Sequence, residues 1–150
     1  MWKEIVLWLF VINLGIAFGA GLYEARVVIP QWVNIPRERW PNTGLLFWVY
    51  VTTVPLTLLT LASLAAAWLT QGPMRVWYLA AVGIVIVERI ATFSYFIPRM
   101  VWMTGAEGLP AADLKAALSQ WLLMNHGRHV LSLAGWLAAL KALSLSRADG

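Results

Sequence analysis

The chain has no cysteine and little charge: 12% of its 150 residues are Asp, Glu, Lys or Arg, seven acidic against eleven basic. Without cysteine there is no thiol nucleophile, no disulfide framework, no thiolate metal site and no membrane dithiol of the kind used in quinone or vitamin K reduction. The scarcity of charge excludes an ordinary soluble domain, in which about 25% of residues are charged. The formal net charge of +4 comes without a basic stripe, so nucleic acid is excluded as a partner and the excess fits contact with lipid headgroups. What the chain does have is apolar surface: 61% hydrophobic residues, ten Trp and a mean hydropathy of +0.71. The expectation is a single domain, all-α, folded as an integral membrane four-helix antiparallel bundle.

Run lengths place the spans. Ile5 to Leu22 carries no charge, and helical continuation to about residue 28 makes it long enough to cross about 30 Å of hydrocarbon at 1.5 Å per residue. Lys3 gives it the charged start of a signal peptide, but the apolar run is long for a signal core, so it is read as a retained helix. Pro30, Pro36 and Pro41, interleaved with Trp32, Arg37, Glu38, Arg39 and Trp40, predict an interfacial loop. A second span covers about 44–69, with Pro55 expected to kink it and free backbone carbonyls. Gln71 to Arg75 is a short turn that makes spans two and three a hairpin. Span three covers about 76–97, where Pro98 ends or bends it, and a surface helix over 110–119 precedes span four at about 120–143.

Four antiparallel spans put both termini at one face. Lys3, Arg75, Lys141 and Arg147 are on that side, against Arg37, Arg39, Arg99 and Lys115 on the other. The first three sit tight against span ends, which favours cytoplasmic termini in a bacterial inner membrane. Gly15 and Gly19, with Ala17 and Gly21, form a small-residue face suited to close helix packing or to a homo-oligomer contact.

Ionisable side chains inside such spans cost roughly 2.5–3.5 kcal/mol each at a helix centre, so each needs a reason. Glu24, Arg26, Glu88, Arg89, His126, Arg128 and His129 are that set. Glu88 lies roughly 18 Å into span three, and Asn125 to His129 roughly 8–14 Å into span four from the opposite face, so they meet at similar height. Helical phase gives three spans a polar stripe each. These are Asn13, Ala17, Ala20 and Glu24; Glu88, Thr92, Tyr95 and Arg99; and Trp121, Asn125, Arg128, His129, Ser132 and Trp136. Turned inward they enclose a polar cavity in the loop-side half, lined also by Tyr23, Tyr50, Thr52 and Thr53, with Trp walls suited to a lipophilic small molecule.

Plainer readings stand beside this one. Glu88 with Arg128, and Glu24 with Arg26 or Arg89, could simply be ion pairs. Aromatics at span ends form an interface belt. His126 and His129, three residues apart, could share a metal ion, or one could ligate a haem. Only Glu24 and Glu88 are near enough to complete a tetrahedral site, and Arg128 between the two His repels a cation, so haem or a His-bound metal is the alternative to a cofactor-free site. A di-iron centre needs about four carboxylates, and no Asp lies in the bundle to build a Ser-His-Asp triad.

Two motifs carry a family resemblance. Gly19-Ala20-Gly21-Leu22-Tyr23-Glu24, followed by Val27, Pro30 and Trp32, closes span one, and Trp121, Asn125 and Arg128 open span four as W-x3-N-x2-R. With four spans in 150 residues, the chain resembles the anthrone-oxygenase-like family of small membrane proteins. Some members of that family oxidise polyketide anthrones to anthraquinones with molecular oxygen and no evident metal or flavin. The resemblance implies that Asn125 and Arg128 are site residues, with Trp121 beside them. Cofactor-free oxygenation needs a base for an acidic C–H, a cationic or hydrogen-bonding group for the enolate, and a dry pocket. Glu88 or His129 is the candidate base, Arg128 and Asn125 the oxyanion holders, and Tyr95 a proton relay. Glu24, Tyr23, Arg89, Tyr95, Trp121 and His126 are expected to contact substrate. The rival classes are a haem- or metal-binding membrane protein, a non-enzymatic partner subunit whose polar stripe faces another chain, and a membrane isomerase or cyclase.

Overall fold

Long runs of Leu, Val, Ile and Ala favour helix when no breaker interrupts them, and in lipid every backbone polar group must be satisfied within the segment. The computed structural model describes residues 1–40, 44–105 and 108–146; Pro41 and Arg147 lie outside the described residues. Its framework is four helices: α1 (Trp2–Trp32), α2 (Leu45–Trp68), α3 (Gly72–Gly105) and α4 (Ala111–Ser146). All four are long and apolar enough to cross a membrane. By length and composition the chain is an integral membrane protein.

The helices form an up-down bundle in which α1 packs on α2 and α4, α2 packs on α3, and the α3–α4 interface is the most extensive. The Lys3 ammonium donates to the Leu69 carbonyl at 2.7 Å, and Met1, Leu69 and Ser146 line one surface cleft. Met1, Ser146 and the α2–α3 turn therefore share one end of the bundle, as an even number of spans requires. The exterior is apolar, with Leu58, Leu61, Leu123 and Val130 all more than 60% exposed, while Thr52, Glu88, Asn125 and His129 are buried. This inversion of the soluble pattern is what a lipid solvent selects.

Between helices in lipid there is no hydrophobic gain to drive association, so close van der Waals packing of small residues has to do it. Ala138, Ala139 and Ala142 on α4 pack in one core with Ala81, Val82 and Val85 on α3. A Cβ on Gly135 would come 2.8 Å from Val85 Cγ2. Gly15 is likewise used inside the bundle, against the Trp136 ring, whereas Gly19 faces open space. A second core, on the loop side, gathers Ile29, Trp32, Phe96, Met103, Leu118 and Trp121.

Three helices depart from the spans read from sequence, and one cause explains two of the departures. Proline has no N–H to give, and its ring clashes with the carbonyl four residues back, so a helix is expected to end or kink there. Here α1 runs through Pro30 to Trp32 and α3 through Pro98 to Gly105. Each proline in a helix interior is preceded by a π-helical turn: Glu24–Val28 before Pro30, Trp48–Thr53 before Pro55, and Thr92–Phe96 before Pro98. In each, the residue just before the proline bonds five residues back, Ile29 to Glu24, Val54 to Val49 and Ile97 to Thr92. The widened turn absorbs the clash and the helix continues. The third departure is at α4. The surface helix expected over 110–119 and the fourth span are one 36-residue helix, because nothing between Ser119 and Gln120 breaks the backbone; only the burial pattern changes there.

Candidate functional site

The three π turns fall at one level. Counted from the terminal end at 1.5 Å per residue, Glu24, Tyr50, Thr92 and Arg128 all lie roughly 27–33 Å up their helices. π turns widen the helix and redirect side chains, and they recur at functional sites. At this level Glu24, Trp48, Thr52 and Thr92 line cavities together with Arg128, His129 and Ser132 of α4.

Two adjoining cavities result. One, about 140 Å³, is lined by Glu24, Trp48, Thr53, Thr92, Trp121 and Arg128, with Phe96 and Met100 as apolar wall. Leu45, Ile97 and Val101 also line it and are themselves exposed, Leu45 and Val101 at 63% each, so its mouth opens sideways between the start of α2 and the end of α3. The other, about 40 Å³, lies deeper and is lined by Thr52, Glu88, Arg89, Thr92, His129 and Ser132. Trp48, Thr53, Thr92 and Arg128 line both. Arg128 is thus the partition between a cavity with Glu24 and a cavity with Glu88.

The two carboxylates are held differently. Glu88, 3% exposed, is clamped: the Arg89 guanidinium donates from Nε at 2.6 Å and from Nη2 at 2.9 Å, and the Thr92 hydroxyl donates at 3.0 Å. Arg128 Nε stands 3.9 Å from the same carboxylate. A carboxylate whose two oxygens both already accept hydrogen bonds, from one guanidinium and a hydroxyl, with a second guanidinium at 3.9 Å, is held as an electrostatic anchor. Glu24 takes a hydrogen bond from the Trp48 side chain and lies in the field of Arg128, and it faces the larger cavity. The candidate base on this geometry is Glu24. The expected pairing of Glu24 with Arg26 or Arg89 is not what forms: Arg26 is exposed and Arg89 is bound to Glu88.

The other predicted site residues divide into four groups. Arg128 and Trp121 stand in the larger cavity; Arg128 stacks over the Phe96 ring at 4.8 Å, and the Trp121 indole N–H donates to the Phe96 carbonyl at 3.2 Å. Arg89 and His129 border the smaller one, His129 with Nε2 buried and unpartnered among the described residues. That nitrogen is 2.8 Å from where a Cβ on Gly21 would sit, so the glycine makes room for the imidazole. Asn125, Tyr95 and His126 border neither cavity. Asn125 is fully buried with both amide atoms unpartnered among the described residues. Tyr95 packs edge-on against Phe96, and the His126 Nδ1–H donates to the Leu122 carbonyl at 2.6 Å. Tyr23 and Tyr50 point outward, 62% and 69% exposed. Among the described residues, no three His, Cys, Asp or Glu side chains gather as a metal-binding group.

Trp48 is the residue that the sequence reading missed. It lies four residues before Thr52, whose hydroxyl bonds the Trp48 carbonyl, so helical phase from Thr52 was a signal that could have found it. No family model, curated protein or solved structure matches this chain.

Proposed function

We propose that the protein is a membrane-embedded, cofactor-independent oxygenase that takes a lipophilic, anthrone-like substrate from the bilayer and starts by removing a C–H proton. The observation that carries this reading is the juxtaposition of Glu24 and Arg128 on one apolar-walled cavity with a lateral mouth. A carboxylate and a guanidinium in a low-dielectric pocket are a base and an enolate holder, and neither is neutralised by direct contact with the other. A cavity of about 140 Å³ takes the reacting ring, while the rest of a larger molecule lies in the mouth between α2 and α3.

The chemistry balances without an added reductant. Glu24 takes one proton from a ring CH2, and the negative charge spreads onto the carbonyl oxygen facing Arg128. The carbanion adds O2 to give a peroxide anion, which takes the proton back from Glu24. Loss of water from the resulting CH–OOH leaves a second carbonyl, so CH2 and O2 become C=O and H2O. Glu88 acts at one remove, holding Arg89 and Arg128 in place. Lys3, Arg75 and Lys141 at the terminal span ends support cytoplasmic termini in a bacterial inner membrane.

Purified protein in lipid nanodiscs, given a tricyclic anthrone in air, should form the quinone with one O2 consumed per substrate. Glu24→Gln and Arg128→Gln, each checked for retained helicity, should slow turnover by roughly 100-fold or more. Equal rates in Glu24→Gln and wild type would overturn the assignment. Exchange of the substrate C–H for deuterium without oxygen uptake would leave the proton step standing and replace oxygenation with isomerisation or cyclisation.

A further inference from the structure

At the loop end of the bundle lies a third cavity, about 500 Å³, away from the Glu24 site. It is lined by Trp32 and the segment through Trp40 on one side and by α4 residues from Ala111 to Leu118 on the other. Its chemistry is two-sided. Trp32, Leu114 and Leu118 give it an apolar floor continuous with the loop-side core, while Arg37 and Lys115, from two separate elements, are its charged lining residues. Neither cation forms an ion pair among the described residues, and the neighbouring acids Glu38 and Asp113 do not line the cavity.

The aromatic wall is built. Trp40 stacks on Trp32 with ring centroids 5.0 Å apart, and its indole N–H is spent on the Trp32 carbonyl at 3.2 Å. Trp32 itself is 2% exposed, and its own indole N–H has no partner among the described residues. Buried indole N–H groups ordinarily find an acceptor. Two cations, a spare N–H donor and an apolar floor, at the level where Trp marks the headgroup boundary, match one kind of molecule: an amphiphile with an anionic head.

We propose that this cavity is a binding site for one anionic phospholipid, its phosphate held by Arg37 and Lys115 and its upper acyl chain laid against Ile35, Trp40 and Leu114. A free phosphate ion would use the cations and leave the apolar floor without purpose. A second chain is disfavoured because Arg37 and Lys115 line one concave cavity rather than a flat face. The site is independent of the reaction at Glu24.

The test uses the full chain in a neutral detergent, titrated with phosphatidylglycerol, phosphatidylcholine or soluble glycerophosphoglycerol, and read by native mass spectrometry and thermal stability. Wild type should retain one phosphatidylglycerol in preference to phosphatidylcholine and gain melting temperature from it. The Arg37→Gln, Lys115→Gln double variant should lose that preference by roughly twentyfold, at about fivefold per basic side chain near a headgroup. Arg75→Gln with Lys141→Gln, which removes the same charge at the other end, should keep it. An equal loss in both double variants would mean diffuse attraction and overturn the site. Equal binding of glycerophosphoglycerol would make it an anion site and overturn the lipid assignment. A double variant with unchanged lipid-free melting that still retains phosphatidylglycerol would do the same.

Discussion

The carbonyl of Val51, to which Pro55 four residues later can offer no N–H, accepts a hydrogen bond at 2.9 Å from the Asn13 side-chain amide on the neighbouring helix. A polar residue in the middle of α1 and a proline in the middle of α2 are therefore one device. The proline strips a carbonyl of its donor, the π turn keeps the helix going, and Asn13 supplies a donor from outside. Across-helix bonds of this kind average about 0.6 kcal/mol in membranes and reach about 1.7.

A double-mutant cycle follows. Asn13→Leu should cost about 1 kcal/mol in reversible unfolding in mixed micelles. Pro55→Ala restores the missing N–H, so in that background the same Asn13 change should cost less than half as much. Additive costs would separate the two residues.

The glycines of α1 make opposite predictions from similar surroundings in sequence. A Cβ at Gly21 meets the His129 imidazole at 2.8 Å, whereas at Gly19 it meets nothing within 4 Å. Gly21→Ala should cost about 1–3 kcal/mol through overpacking, and His129→Ala should remove most of that cost. Gly19→Ala should be neutral or stabilising by up to about 1 kcal/mol, as expected for a glycine in a helix interior.

Much of the fold was legible because lipid imposes it. Span number, the hairpin at Gln71 to Arg75 and the shared end of both termini follow from apolar run length and parity. The inward stripe of α4 was legible for the same reason, since Asn125, His129 and Trp121 follow helical phase. What sequence could not give was phase after a proline. Each π turn adds one residue to its turn and lets the helix run on through its proline, which apolar run length alone does not reveal. The roles of Glu24 and Glu88 depended on which guanidinium reached which carboxylate, and Arg89, adjacent in sequence to Glu88, closed on it from the same helix.

Trp48 should behave as a donor as well as a wall. Trp48→Phe keeps an aromatic ring between the two cavities and removes the indole N–H offered to Glu24. Under the oxygenase reading, turnover should fall by at least roughly tenfold, in line with about 1.5–3 kcal/mol for a lost hydrogen bond to a charged group, while stability changes little. A Trp48→Phe protein as active as wild type would show that Glu24 needs no orienting partner.

The two carboxylates should separate cleanly by stability. Glu88→Gln removes the carboxylate that pairs with Arg89 at 2.6 Å and faces Arg128 at 3.9 Å, leaving two half-buried guanidiniums without it. Breaking a buried pair from one side costs about 3–5 kcal/mol because the surviving charge is stranded. Adding Arg89→Leu to Glu88→Gln should recover a large part of that loss, since one stranded cation is then gone and an apolar side chain fills its place. Glu24→Gln has no such partner to strand and should unfold within about 1 kcal/mol of wild type. The measurement is the unfolding midpoint of all four proteins in the same micelles. Equal destabilisation by Glu24→Gln and Glu88→Gln would mean that both carboxylates are anchors, and the larger cavity would lose its candidate base.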